Sequence, residues 1–447
     1  MEVEIISKEF IKPSSSATQH QKPYKLTFFD QLQPAVYFPV IFFFPMNDSK
    51  SHINQTLTHL KKSLSETLNL YYPLSGRPND DNIFISRFQE GLPFIEAKAS
   101  CSMSDFLKLH ETESLNSFLP CSPYHKELAV EIPLLAVQVS KFTCGGIALG
   151  CCFSHKLLDA ATASNFIASW SSLHRGDPNG VIMPDFEEPS LFFPPKIPIP
   201  RTQISLMDTL CFAKGDYITR RFVFNAEAID TLKAKAKGNE VDQTEPTRIQ
   251  TLSCFIWKHC MEATRMLAQS SSSSASNTSV LIESVNLRKR TTPEMKDGSS
   301  GNLIWGAVAI ADPNDTNQEL HELVKMLSEA IALFKPDYTE SFQGDNGFET
   351  LSQYFETIEL LSMENPEVFV FTSWSRMSLT RPDFGWGEPY WVGVMGKVGD
   401  LSRNMTIFVD AKDGKGIEAW ITLDDKRMEI LQQNPEFLEF ASVSKVF

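Results

Sequence analysis

The sequence predicts an α/β fold of two similar-sized domains, on three observations. The chain has 447 residues, too long for one ordinary core and suited to two of roughly 200 residues each. Segments with apolar residues at helical spacing alternate with short apolar runs of strand character. Near the midpoint, Met183 to Pro200 holds six prolines and no periodicity, the mark of an extended crossing segment. These observations place the domains at residues 1–200 and 201–447, joined through about residues 185–215.

Each element has its own signal. Ser51 to Leu70 sets Leu57, Leu60, Leu64 and Leu68 at helical spacing and stops before Pro73, where a helix must end. Leu134 to Val139 and Ile147 to Leu149 read as two buried strands separated by the turn residues Cys144-Gly145-Gly146, and the second ends near His155. Ala160 to His174 puts Ala163, Phe166, Ile167, Trp170 and Leu173 on one helical face, closed by Gly176 and Pro178. His155 therefore stands where a strand hands over to a helix. In the second half, helices are expected at Ala226 to Ala236 and Arg248 to Met266, and a solvated loop at the serine-rich stretch Gln269 to Thr278. Met405 to Val409 and Ile417 to Ile421, flanking Asp413-Gly414, predict a hairpin.

Composition excludes several function classes. Hydrophobic residues make up 42% and charged residues 21%, ordinary values for a folded globular protein. The net charge of −14 opposes a nucleic-acid or anionic-membrane partner, because a phosphate surface would be repelled over most of the protein. Eight cysteines include no CxxC pair, so neither a zinc site nor a redox motif is indicated, and no metal is expected. Met1 to Phe10 has neither a basic segment nor a long apolar one, and the apolar run Tyr37 to Met46 is broken by two prolines and too short to span a bilayer. A cytoplasmic monomer is the expectation.

Two motifs carry chemistry. Ser154-His155-Lys156-Leu157-Leu158-Asp159 contains an HxxxD pattern. Histidine is the side chain best matched to general-base work near neutral pH, and an aspartate in the next turn can organise it. Alone the pattern is a weak signal. Asp383-Phe384-Gly385-Trp386-Gly387 is far more specific, and its glycines permit backbone angles and close approaches that a side chain would forbid. It reads as a segment that shapes a site without reacting in it.

HxxxD together with DFGWG resembles the paired signature of the BAHD acyltransferases. Phe28-Phe29-Asp30-Gln31, Tyr72-Pro73-Leu74-Ser75-Gly76-Arg77 and Val285-Asn286-Leu287-Arg288 resemble three further segments of that family, so the likeness runs over nearly the whole chain. It implies two chloramphenicol-acetyltransferase-like domains with an active-site channel at their interface and no bound cofactor. It also implies an acyl-CoA co-substrate and an alcohol acceptor, with acetyl-CoA as the first donor to consider. His155 would be the base, Asp159 would point away from the channel and steady the histidine loop, and Asp383 would pair with Arg288, with Gly385, Trp386 and Gly387 shaping the turn. By position, Ser253, Lys258 and Asn302 match stretches lining the family's CoA mouth. Leu157 and Leu158 depart from the small residue usual before the aspartate, which bears on local packing. The branch most resembled acetylates hydroxyls of alkaloids, with related members acting on terpenoid alcohols. The residues also leave a covalent route through Cys151 or Cys152 to be weighed. No GxSxG elbow is present for a serine hydrolase.

Overall fold

The computed structural model describes the chain except residues 47–49, 80, 110–111, 125–131, 213–214, 239–244, 272–277, 364, 399–403 and 444–447. The first half supplies strands β1 (Val3–Ile11), β2 (Tyr37–Phe44), β3 (Leu92–Ala99), β4 (Leu135–Lys141) and β5 (Ile147–Ser154). The second half supplies β6 (Tyr217–Phe224), β7 (Ser279–Asn286), β8 (Ile304–Ala311), β9 (Glu367–Ser373), β10 (Trp391–Gly393), β11 (Met405–Asp410), β12 (Ile417–Asp424) and β13 (Ser442–Val443). One mixed sheet runs β1-β3-β4-β5-β2-β10 and the other β8-β7-β9-β11-β12-β6-β13. Each is covered by helices, which gives the two-domain α/β architecture expected from the sequence.

The helices that matter for the site are α1 (Phe28–Leu32), α2 (Lys50–Leu70), α3 (Ala160–Arg175), α4 (Arg201–Cys211), α5 (Ala226–Lys237), α6 (Arg248–Ser271) and α7 (Gly347–Met363). α3 has a well-defined start and stop. The Asp159 carboxylate accepts the Thr162 amide at its N-terminus, and Gly176 closes it in the left-handed conformation at φ 73°. The expected β11–β12 hairpin forms around Gly414, with Met405 opposite Thr422 and Asp410 opposite Ile417. α6 runs on to Ser271, through Gln269 and the first two serines of the stretch predicted as loop, and residues 272–277 lie outside the described residues. Within the proline-rich crossing a short helix forms at Glu188–Phe192, which the six prolines had hidden.

Two exchanges tie the halves together. Phe28 and Phe29 of α1, beside Phe193, insert into an aromatic cluster with Trp305, Phe342 and Phe348 of the second half. In the opposite direction, β10 pairs antiparallel with β2 of the first sheet. DFGWG, assigned by sequence to the C-terminal domain, thus lies on a strap that leaves the second sheet after β9 and packs on the first. Linear order hides this, because a three-residue edge strand carries almost no pattern of its own.

Candidate active site

β5 delivers His155 to the join of the two sheets. Its backbone N–H donates to the Val36 carbonyl at 2.8 Å, which fixes the turn beyond the strand. The ring packs edge-on against Phe38, with centroids 5.4 Å apart. It lies on the wall of a cavity of about 230 Å³ built from both halves, with Phe38 and Tyr124 on one side and Trp305, Ile282 and Met405 on the other.

The protonation state follows from the neighbours. Asn302 Nδ2 donates to the His155 carbonyl at 2.8 Å and to Asp30 Oδ1 at 2.9 Å. Both partners are acceptors only, so the Asn302 amide is oriented and its Oδ1, 3.0 Å from His155 Nδ1, must accept. Nδ1 therefore carries the proton of the neutral ring, leaving the Nε2 lone pair as the base. Burial is the largest influence on the ring and pulls its pKa below the ordinary histidine value, against the opposing effects of the hydrogen bonds and of Asp159. The imidazole is thus held neutral at neutral pH.

Asp30 anchors this arrangement. Fully buried at the start of α1, it accepts from the Thr27 amide and hydroxyl at 2.9 and 2.8 Å and from the Asn302 amide at 2.8 Å. Burial raises its pKa and these bonds lower it in part. In the sequence Asp30 stands out only as part of the Phe28-Phe29-Asp30-Gln31 motif, and the family resemblance sets Asn302 at the CoA mouth. The available signal is an aspartate between the bulky apolar Phe28, Phe29 and Leu32, which has to be satisfied if that segment is buried.

Asp159 faces away from the cavity into a fully occupied pocket. Oδ2 accepts from Arg288 Nη1 at 2.7 Å and from the Leu303 amide at 3.1 Å, while Oδ1 accepts from Arg288 Nη2 at 3.1 Å and from the Thr162 amide at 2.8 Å. Burial alone would raise this carboxyl's pKa, but the adjoining guanidinium and the amides hold it below the usual range. The pairing of Arg288 with Asp383 expected from the resemblance is therefore corrected: Arg288 is the partner of Asp159. It also donates to the Ser299 and Gly301 carbonyls, the Thr162 hydroxyl and the Asn286 side-chain oxygen.

Asp383 has a different task. Its Oδ1 accepts from the amides of Gly385 and Gly387 at 2.7 and 2.9 Å, and both glycines have positive φ, 89° and 83°. A side chain at either would be strained there, which is the physical content of the motif. Phe384 and Trp386 stack on each other and pack on Trp170, His174 and Phe44, and Arg175 donates to the Asp383 carbonyl. DFGWG thus grips the last turn of α3, whose first turn is capped by Asp159. The two are separated by a 16-residue helix, about 24 Å at 1.5 Å per residue.

Of the three positions read as CoA contacts, Ser253 is fully buried and donates to Glu283 at 2.7 Å, and Asn302 lies against His155. Lys258 is half-buried on α6, five residues and about 140° around the helix from Ser253, so those two do not share a face. Cys151 and Cys152 are both buried, and burial pushes both thiols well above the ordinary range. No cluster of His, Cys, Asp and Glu able to hold a metal occurs among the described residues.

A model of the Transferase family matches residues 1–438. The chain is a BAHD acyltransferase. Akuammiline synthase 2 of Alstonia scholaris is 35% identical over 446 residues, covering 99% of this chain and 97% of that protein. Limonoid 7-O-acetyltransferase of Citrus sinensis is 34% identical over 460 residues, covering 99% of each. The crystal structure of vinorine synthase matches with a TM-score of 0.80 at 29% identity over the whole of both chains. As a BAHD enzyme, the protein transfers an acyl group from a CoA thioester. No helix among the described residues is long and apolar enough to cross a membrane.

Proposed function

We propose that the protein is an acetyl-CoA:alcohol O-acetyltransferase acting on a hydroxyl of a polycyclic specialised metabolite of alkaloid or terpenoid type, working as a cytoplasmic monomer. The observation that carries the chemistry is His155, neutral, with Nδ1 committed to Asn302. Its Nε2 takes the proton of the acceptor hydroxyl as that oxygen attacks the thioester carbonyl. The C–O bond forms, the tetrahedral intermediate collapses, and coenzyme A leaves as a thiolate that recovers the proton from His155. Ester and free thiol are the products, and the histidine ends as it began.

Direct transfer is supported by the burial of Cys151 and Cys152, which holds them as thiols, the poor nucleophilic form. The acceptor class is supported by the limonoid and akuammiline relatives and by an apolar cavity at the histidine. The test is release of coenzyme A from acetyl-CoA against a panel of polycyclic alcohols, with the ester confirmed by mass. Release without ester, or from a longer acyl-CoA in strong preference to acetyl-CoA, would overturn the assignment.

A further inference from the structure

The cavity is graded along its length. In the second sheet Ile282 on β7 is in register with Val370 on β9, and Val370 with Met405 on β11, and all three face the cavity. Met207 of α4 and Ile358 and Tyr354 of α7 line this same region, so one end is mainly apolar. Towards the C-terminal ends of these parallel strands the lining gains neutral polar groups, Ser284, Asn286, Thr372 and Ser373, among the apolar Ile304, Trp374 and Ile407. His155 belongs to this polar end, because the Asn302 that holds it lies two residues before Ile304, the partner of Asn286.

Among the described residues that line the cavity there is no Asp, Glu, Lys or Arg. The carboxylates nearby are already taken: Asp159 by Arg288, and Asp30 by Thr27 and Asn302. The indole of Trp305 makes edge and tilted contacts with Phe29, Tyr354 and Phe355, and that of Trp374 with Phe38, so part of each ring is occupied by a neighbouring aromatic. A protonated amine brought here would lose its water and meet no carboxylate among the described lining residues, which disfavours the charged form.

We propose, resting on the acyl-transfer reading above, that the acceptor is an electrically neutral polycyclic alcohol. Its ring system lies on Ile282, Val370 and Met405 while its hydroxyl reaches the polar end at His155. An acceptor carrying a protonated nitrogen is selected against.

The test compares a steroid alcohol with its ring-aza analogue, which bears a tertiary amine remote from the same hydroxyl. At pH 7 the carbocycle is expected to exceed the protonated amine in kcat/KM by about tenfold or more, the effect of a modest free-energy difference. The amine should recover as pH rises through its own pKa. Val370→Asp and Met405→Glu, each checked for an unchanged melting profile, should narrow or reverse the preference by supplying the missing anion. Binding of the same pair to His155→Ala, followed by tryptophan fluorescence, reads the preference without turnover. Equal or better binding of the protonated amine overturns the proposal whether or not either compound is acylated. Binding of neither ring system overturns the placement of the rings in the cavity. Failure of every alcohol to give an ester, with the carbocycle still bound preferentially, overturns the transfer reading instead and leaves the selectivity standing.

Discussion

Arg288 and Asp159 meet as a two-point fork, 2.7 and 3.1 Å, across the join of the two halves of the chain. The arginine follows β7 of the second sheet, and the aspartate caps the helix that carries the histidine loop of the first. Both are buried, so the pair locks the two sheets beside the base.

Asp159→Ala should leave a buried guanidinium without its anion, a change that typically costs about 3–5 kcal/mol. The expected result is a marked fall in melting temperature together with loss of activity. Asp159→Leu combined with Arg288→Met should be less damaging than the two single losses added together, because the double variant leaves no orphaned charge. Strict additivity of the two in thermal unfolding would show that the fork contributes nothing as a pair.

His155→Ala should reduce kcat by about 10²-fold or more and leave the melting temperature close to wild type. The pH profile carries the sign of the perturbation. The protonated ring is inactive and burial lowers its pKa, so the acid limb of activity lies below the ordinary value of about 6.5. Asn302→Asp places an anion beside Nδ1, favours the imidazolium and should move that limb to higher pH. A limb that stays in place would mean that the titrating group is not His155.

Asp383 acts through α3. Asp383→Ala removes the acceptor of two turn amides and should lower stability and kcat together. Asp383→Asn, which keeps an acceptor oxygen, should restore most of both. An alanine variant with unchanged melting temperature and lost activity would place Asp383 in the chemistry.

How much of this was written in the chain depends on the range of each signal. The position of His155 was legible because helix α3 and strand β5 are strongly patterned on either side of it. The partner of Arg288 was not, since both Asp159 and Asp383 are aspartates in motifs and only the three-dimensional path decides between them. Asn302 is a single polar residue beside a glycine, and its use against His155 depends on Asp30, which is 272 residues away in sequence. The strap that carries DFGWG to the first sheet is likewise a long-range pairing without local pattern.

His174, beneath Trp386, is pulled down to about 4 by burial and by His59, and its Nδ1 lies 3.1 Å from the Ser63 hydroxyl. Below about pH 6.5 the unfolded chain takes up a proton that the folded chain refuses. Stability from this group is therefore fully present above that pH and declines as pH falls towards 4. Wild-type melting temperature should drop over that window, and His174→Gln should flatten the decline. An identical pH dependence in the variant would assign the acid sensitivity elsewhere.

The last prediction separates direct transfer from a covalent intermediate. If the acyl group passes straight from the thioester to the alcohol, Cys151→Ala and Cys152→Ala should each keep most of the activity apart from a packing cost, since both thiols are fully buried in the core of the first sheet. Acetyl-CoA without acceptor should then leave no added mass on the protein, and initial-rate lines at varied acceptor should intersect. Parallel lines, with one acetyl group found on the Cys151 and Cys152 peptide, would transfer the role of nucleophile to the enzyme. His155 would then serve a thiol, and burial would have to be relieved during turnover to produce the thiolate that the resting structure disfavours.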